Sequence, residues 1–95
     1  MEIKLEQSQS KGSFYVEENG VRLAEMTFSK AGDSKIIIDH TEVSDALRGS
    51  GAGLKLVAAG VEHARKNNLK IIPLCPFAKS VFDRRAEYRD VLDSP

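Results

Sequence analysis

The sequence predicts an α+β fold: a four-stranded antiparallel meander, then a βα unit with a parallel fifth strand, then a short C-terminal helix. Three observations predict it. Apolar residues alternate with polar ones across residues 1–43, interrupted by turn signals. From Gly51 the apolar period lengthens to that of a helix. A short apolar run then leads to Pro76, where a second helix can begin.

Each element follows in order. Ile3 and Leu5 alternate with charges and read as the first strand. Phe14-Tyr15-Val16 leads to Asn19-Gly20, a strong signal for a two-residue hairpin. Val21, Leu23, Met26 and Phe28 roughly alternate and form the return strand, which closes at the turn Ala31-Gly32-Asp33-Ser34. Ile36-Ile37-Ile38 is apolar on both faces, as a covered central strand requires, and continues through Asp39-His40-Thr41-Glu42-Val43. Ser44–Ser50 reads as a polar loop. Leu54, Val57, Ala58 and Val61 then recur at helical spacing, with Arg65 and Lys66 in the last turn and Asn67-Asn68 ending the helix. Leu69–Cys75 is a short strand. Strand, helix, strand is a βαβ unit, so its two strands run parallel. Pro76 opens a helix to about Glu87, and Tyr88, Val91 and Leu92 dock the tail.

Composition narrows the function classes. Ninety-five residues fit one domain, residues 1–95. Fourteen basic residues balance fourteen acidic ones, so the chain lacks the electrostatic footprint of a nucleic-acid binder. Six Phe and Tyr and no Trp leave little for a base-stacking surface. No apolar run approaches the ~20 residues that span a bilayer, and the charged N-terminus does not read as a signal peptide. Cys75 is the single cysteine and forms no internal disulfide, which fits a cytoplasmic setting.

The segment Arg48-Gly49-Ser50-Gly51-Ala52-Gly53 carries the functional signal. It lies between a buried strand and the first turn of a helix, where unpaired N–H groups and the helix dipole attract anions. Glycines let the backbone approach a phosphate, and Arg48 at the lip adds a bidentate donor. A Walker A loop needs G-x-x-x-x-G-K-[ST], and Leu54 occupies the second glycine position counted from Gly49. A dinucleotide fingerprint G-x-G-x-x-G fails at Leu54 or Leu56. What remains is Arg-x-x-Gly-x-Gly.

On that motif the chain resembles the GCN5-related N-acetyltransferase superfamily, which places [QR]-x-x-G-x-[GA] between its fourth strand and the following helix. The string Val43-Ser44-Asp45-Ala46-Leu47-Arg48-Gly49-Ser50-Gly51-Ala52-Gly53 is similar to the family's V-x-P-x-x-R-G-x-G-x-G, with Asp45 where proline is common. Asp39-His40-Thr41-Glu42-Val43 together with Cys75-Pro76-Phe77 resembles its short, stand-alone YjdJ-like branch. The resemblance runs from about residue 14 to 92. It implies a compact N-acetyltransferase-like fold, acetyl-CoA as cosubstrate and an amine acceptor, either a small molecule or a protein. It places the coenzyme A pyrophosphate on Arg48, Gly49, Ser50, Gly51, Ala52 and Gly53. It places the pantetheine arm along Thr41, Glu42 and Val43, where the strand splays from the one ending at Cys75. Pro73 lacks an N–H and suits such a splay. Larger members carry further strands, so an open acceptor side is expected, in a monomer or weak homodimer with no nucleic-acid or membrane partner.

Acetyl transfer to an amine needs a base for the amine and a proton for the leaving thiolate. His40 and Glu42, two apart on a strand, share a face and are the candidate bases; His40 can instead simply bond Asp39 or Thr41. Cys75 precedes a helix N-terminus, which lowers a thiol pKa. It could accept the acetyl group, protonate the thiolate, or merely fill the core. The resemblance implies Tyr88 as a further candidate acid, since related enzymes often use a tyrosine from the C-terminal part, with packing as its plainer role; His63 reads as a solvated surface residue. No metal site is recognisable. The rival functions are a non-catalytic acyl-CoA-binding module and a simple phosphate binder.

Overall fold

The structure, a computed structural model, describes residues 1–93. Four antiparallel strands form the expected meander: β1 (Lys4–Gln7), β2 (Lys11–Glu18), β3 (Val21–Ala31) and β4 (Lys35–Val43). Helix α1 (Ala52–Asn67) crosses back to β5 (Lys70–Pro73), which pairs parallel to β4 and completes a sheet ordered β1-β2-β3-β4-β5. Helix α2 (Pro76–Arg84) and a 3-10 turn at Ala86–Val91 follow.

Turn chemistry sets the boundaries. Asn19 and Gly20 both have positive φ, as the two-residue hairpin between β2 and β3 demands. Asn68 closes α1 in the left-handed conformation, its N–H bonded to the Ala64 carbonyl. Strand β5 is shorter than Leu69–Cys75, because pairing stops at Pro73, and α2 ends at Arg84 rather than near Glu87. The loop after β4 contains one 3-10 turn, Asp45–Leu47.

One face of the sheet is covered by both helices. Met26, Phe28, Ile36 and Ile38 from the strands meet Leu56, Val57 and Val61 of α1 and Phe82 of α2 in a single core. Val57 and Val61 of the expected α1 stripe are buried, but the buried face also takes in Ala52, Leu56, Gly60 and Ala64, whereas Leu54 is exposed. Gly60 permits this seat, since a Cβ there would lie 3.0 Å from the Met26 methyl. The tail docks as expected. Val91 is buried, Tyr88 meets Phe82 edge-on, and the Asp93 N–H bonds the Ile71 carbonyl. Arg65 clamps this tail by two bonds to the Asp90 carboxylate and one to the Glu87 carbonyl.

His63 departs from the solvated position expected for it. Its ring sits edge-on to Phe14 at 5.5 Å and tilts over Phe28 at 6.1 Å. Burial, then the nearby Lys30 charge, holds its pKa below the ordinary imidazole value. A depressed histidine pKa means the unfolded chain binds a proton more readily than the folded one. This stability contribution is present above about pH 6.5 and is lost as pH falls below it. Thermal melts at pH 7.5 and 5.5 should show a smaller acid-side loss in His63→Gln than in the wild type; an equal loss would remove His63 as the cause.

Candidate active site

The site is built by one irregularity in β4. Phe28 pairs with Ile38 and Thr27 with His40, so Asp39 is an extra residue on β4, a β-bulge. Alternation therefore slips by one. Ile36 and Ile38 point to the core before the bulge. After it, Thr41 and Val43 take the helix-covered face, opposite the inward-facing Met26 and Ala24, though Val43 remains exposed. His40 and Glu42 share a face as expected, but it is the uncovered face of the sheet, opposite Glu25 and Thr27. Both are exposed, with His40 Nε2 3.4 Å from Glu42 Oε2. The structure thus brings Thr41, Val43 and Cys75 together and sets His40 and Glu42 behind them.

The splay between β4 and β5 is present. Their pairing ends at Ile38 and Pro73, and the Leu74 and Cys75 N–H groups both converge on the Ile38 carbonyl at 3.1 Å. Beyond that point β4 runs on to Val43 with no β5 partner. Chain turning away at Cys75 enters α2, with Cys75 as N-cap and Pro76 as the first helical residue.

At the far end of the unpaired edge lies the glycine loop. Gly49 and Gly51 have φ of 81° and 80°, and a Cβ at either would meet nothing within 4 Å. Their backbone needs glycine, and the space over them is open. The first helical bond of α1 runs from Lys55 N–H to the Gly51 carbonyl, so the amides ahead of it have no helical acceptor. Ser50 Oγ shapes the loop, donating to the Leu47 carbonyl and accepting from the Ala52 N–H at 3.2 Å. Arg48 is exposed and paired with Asp45 on the same turn. Gly53 does different work: a Cβ there would lie 2.7 Å from the Phe77 ring, so it admits that ring against the helix. Thr41, Val43, Leu47, Leu54 and Phe77 wall a groove of about 350 Å³ with this loop as its floor. An anion of the size of a pyrophosphate fits such a cradle of glycines and free amides.

Cys75 lies beside Thr41 at the other end of the unpaired edge, outside the lining of the groove. It is buried, and its Sγ lies 3.3 Å from Thr41 Oγ1. Burial pushes its pKa up, but the Thr41 hydroxyl and the Ala78 and Phe77 N–H groups at the helix start outweigh it, leaving the thiol below its ordinary value. Tyr88 packs on Phe82 and lies outside the groove. Leu54 and Phe77, which wall the groove, were not legible as site residues. Each occupies a position that helical periodicity assigns to the core, yet both are partly exposed, the Phe77 ring lying against Gly53.

Among the described residues no helix is long and apolar enough to cross a membrane, and no group of His, Cys, Asp and Glu could hold a metal ion. No curated protein matches the chain. A GCN5-like protein from Staphylococcus aureus, solved by NMR, is 44% identical over 97% of this chain and 89% of its own, with a TM-score of 0.71. Two more distant structures share the fold. A ribosomal-protein-alanine N-acetyltransferase from Brucella melitensis biovar Abortus is 17% identical, matching 93% of this chain and 65% of its own at a TM-score of 0.63. AAC(6')-Iy, solved with a CoA-based bisubstrate analogue, is 12% identical, matching 92% of this chain and 65% of its own at a TM-score of 0.53. The chain therefore spans slightly less than two thirds of these two. The model of the family described as GCN5-related N-acetyl-transferase matches residues 13–91, and the chain belongs to that family.

Proposed function

We propose that the chain binds acetyl-CoA with its pyrophosphate on Arg48–Ala52 and its pantetheine arm along Thr41 and Val43, and transfers the acetyl group to an amine by way of Cys75. One juxtaposition carries this reading: the unpaired half of β4 joins an open glycine cradle at one end to a thiol of lowered pKa at the other. The cosubstrate supplies the activated acetyl thioester. Cys75 Sγ bonds to the acetyl carbon as the bond to the coenzyme sulfur breaks, and the proton lost by the thiol ends on that sulfur. The amine then bonds to the acetyl carbon, Cys75 leaves, and the amine proton passes back to the Cys75 sulfur. His40 and Glu42 stand exposed on the opposite, uncovered face of β4. Direct transfer, with His40 or Glu42 as base and no acetylated cysteine, is the competing route. The lowered thiol pKa favours the covalent one, since the thiolate is the nucleophile.

The 44% identity to the Staphylococcus aureus protein over most of both chains supports placement in the YjdJ-like branch of the family. The lone cysteine, kept as a free thiol, supports work in the cytoplasm.

Mass spectrometry after mixing with acetyl-CoA should show a gain of one acetyl group on Cys75. Cys75→Ala should lose that adduct and about 100-fold in turnover, the lower end of what such a group contributes. Full turnover in Cys75→Ala would leave direct transfer.

A further inference from the structure

A second recess adjoins the groove. Leu54, Arg84, Arg85 and Glu87 line a hollow of about 310 Å³, and Leu54 is the wall it shares with the glycine-loop groove. Phe77 and Arg84 are seven residues apart on α2, two turns, so both lie on the face that borders these cavities. Neither of the two arginines in this small hollow has a close carboxylate partner among the described residues. Arg84 donates from Nε to the Ser80 carbonyl at 3.2 Å and has no carboxylate partner among the described residues. Arg85 meets Glu87 only at 3.8 Å, an exposed and loose pair of small value. The guanidinium fork suits a phosphate, which it can bind in bidentate fashion.

Coenzyme A carries one more phosphate than its pyrophosphate, on the ribose 3′ position of the same nucleotide. We propose that the Leu54–Arg84–Arg85 recess is the subsite for that 3′-phosphate. The proposal rests on the reading that the glycine loop takes the pyrophosphate. Leu54 then separates the two phosphate-binding stations, with the nucleotide spanning it. Glu87 is the one acidic group in the recess and opposes the ligand charge. Arg85 turns from Glu87 to the phosphate when the subsite fills.

Calorimetric titration with coenzyme A and with 3′-dephospho-coenzyme A tests this. Wild-type protein should bind coenzyme A about 10-fold more tightly, the effect of one well-placed charge-assisted contact. The double variant Arg84→Gln/Arg85→Gln should lose that preference while keeping its affinity for the dephospho form and its melting temperature, since both arginines are exposed. Glu87→Gln should tighten coenzyme A binding alone. Equal affinity of the wild type for the two ligands, or equal weakening of both in the double variant, overturns the subsite and leaves the glycine-loop reading standing. If neither ligand binds, both readings fall together.

Discussion

Gly51→Asp should abolish acetyl-CoA binding while leaving the fold intact. Three effects separate cleanly at this position. Gly51 has φ of 80°, where a side chain costs roughly 1 kcal/mol, less for Asp and Asn than for other residues. A carboxylate at the N-cap of α1 regains about 0.3–1 kcal/mol from the helix dipole, so the melting temperature should hardly move. A ligand phosphate above the loop would meet that same carboxylate, and like charges at contact cost several kcal/mol. Affinity should fall by at least about 100-fold, equivalent to about 2.7 kcal/mol. Gly51→Asn is the matched control. It tolerates the left-handed backbone, adds the same bulk and carries no charge, so it should weaken binding less. Titration of the three proteins with acetyl-CoA, beside their melting curves, is sufficient. If Gly51→Asp bound within about 3-fold of the wild type, the loop would not be a phosphate site.

What the sequence disclosed about this site depends on how local each determinant is. Asn19-Gly20, Asn68 and Pro76 fix their turns through their own backbone preferences, and each appears where composition predicts it. The glycine loop is similarly local, and its position between a buried strand and a helix is readable from the change of period. The face that His40 presents is not local. It depends on Asp39 being an extra residue opposite β3, and nothing in Ile38-Asp39-His40 marks a bulge. Alternation counted from Ile36 and Ile38 would send His40 and Glu42 inward; the bulge sends Thr41 and Val43 instead. The same holds for α1. Leu54 and Leu56 are equally apolar, and only packing against Met26 and Phe77 decides which is buried. Cys75 is intermediate. Its place before Pro76 is legible, whereas its contact with Thr41 exists because the bulge turned Thr41 inward.

Phe82→Ala should have the largest effect on stability, and Phe77→Ala should separate stability from binding. Phe82 is fully buried on α2, and its ring meets Tyr88 at 6.0 Å, so it joins the helix to the docked tail. Truncating such a ring costs about 3–5 kcal/mol through lost burial and the cavity left behind. A domain of this length has about 5–14 kcal/mol in all, so the loss is a large part of it. The melting temperature should fall by more than about 15 °C. The consequence reaches the site because α2 carries Cys75 as its N-cap and Phe77 in its first turn. Loosening α2 withdraws the Ala78 and Phe77 amides that lower the Cys75 pKa. Phe77 is instead partly exposed, with its ring over Gly53 as a wall of the groove. Phe77→Ala removes less buried surface than Phe82→Ala and should lower the melting temperature by less than half as much, but it takes away an apolar wall beside the pantetheine path. A binding loss of about 10-fold with only a moderate drop in melting temperature is expected for Phe77→Ala. For Phe82→Ala the expected order is reversed: early melting, with acetyl-CoA affinity recovered at low temperature as the remaining folded fraction binds. Denaturation curves and titrations of both variants at 10 °C and 37 °C distinguish them. Equal melting temperatures for the two would contradict the division of α2 into a buried anchor and a groove wall.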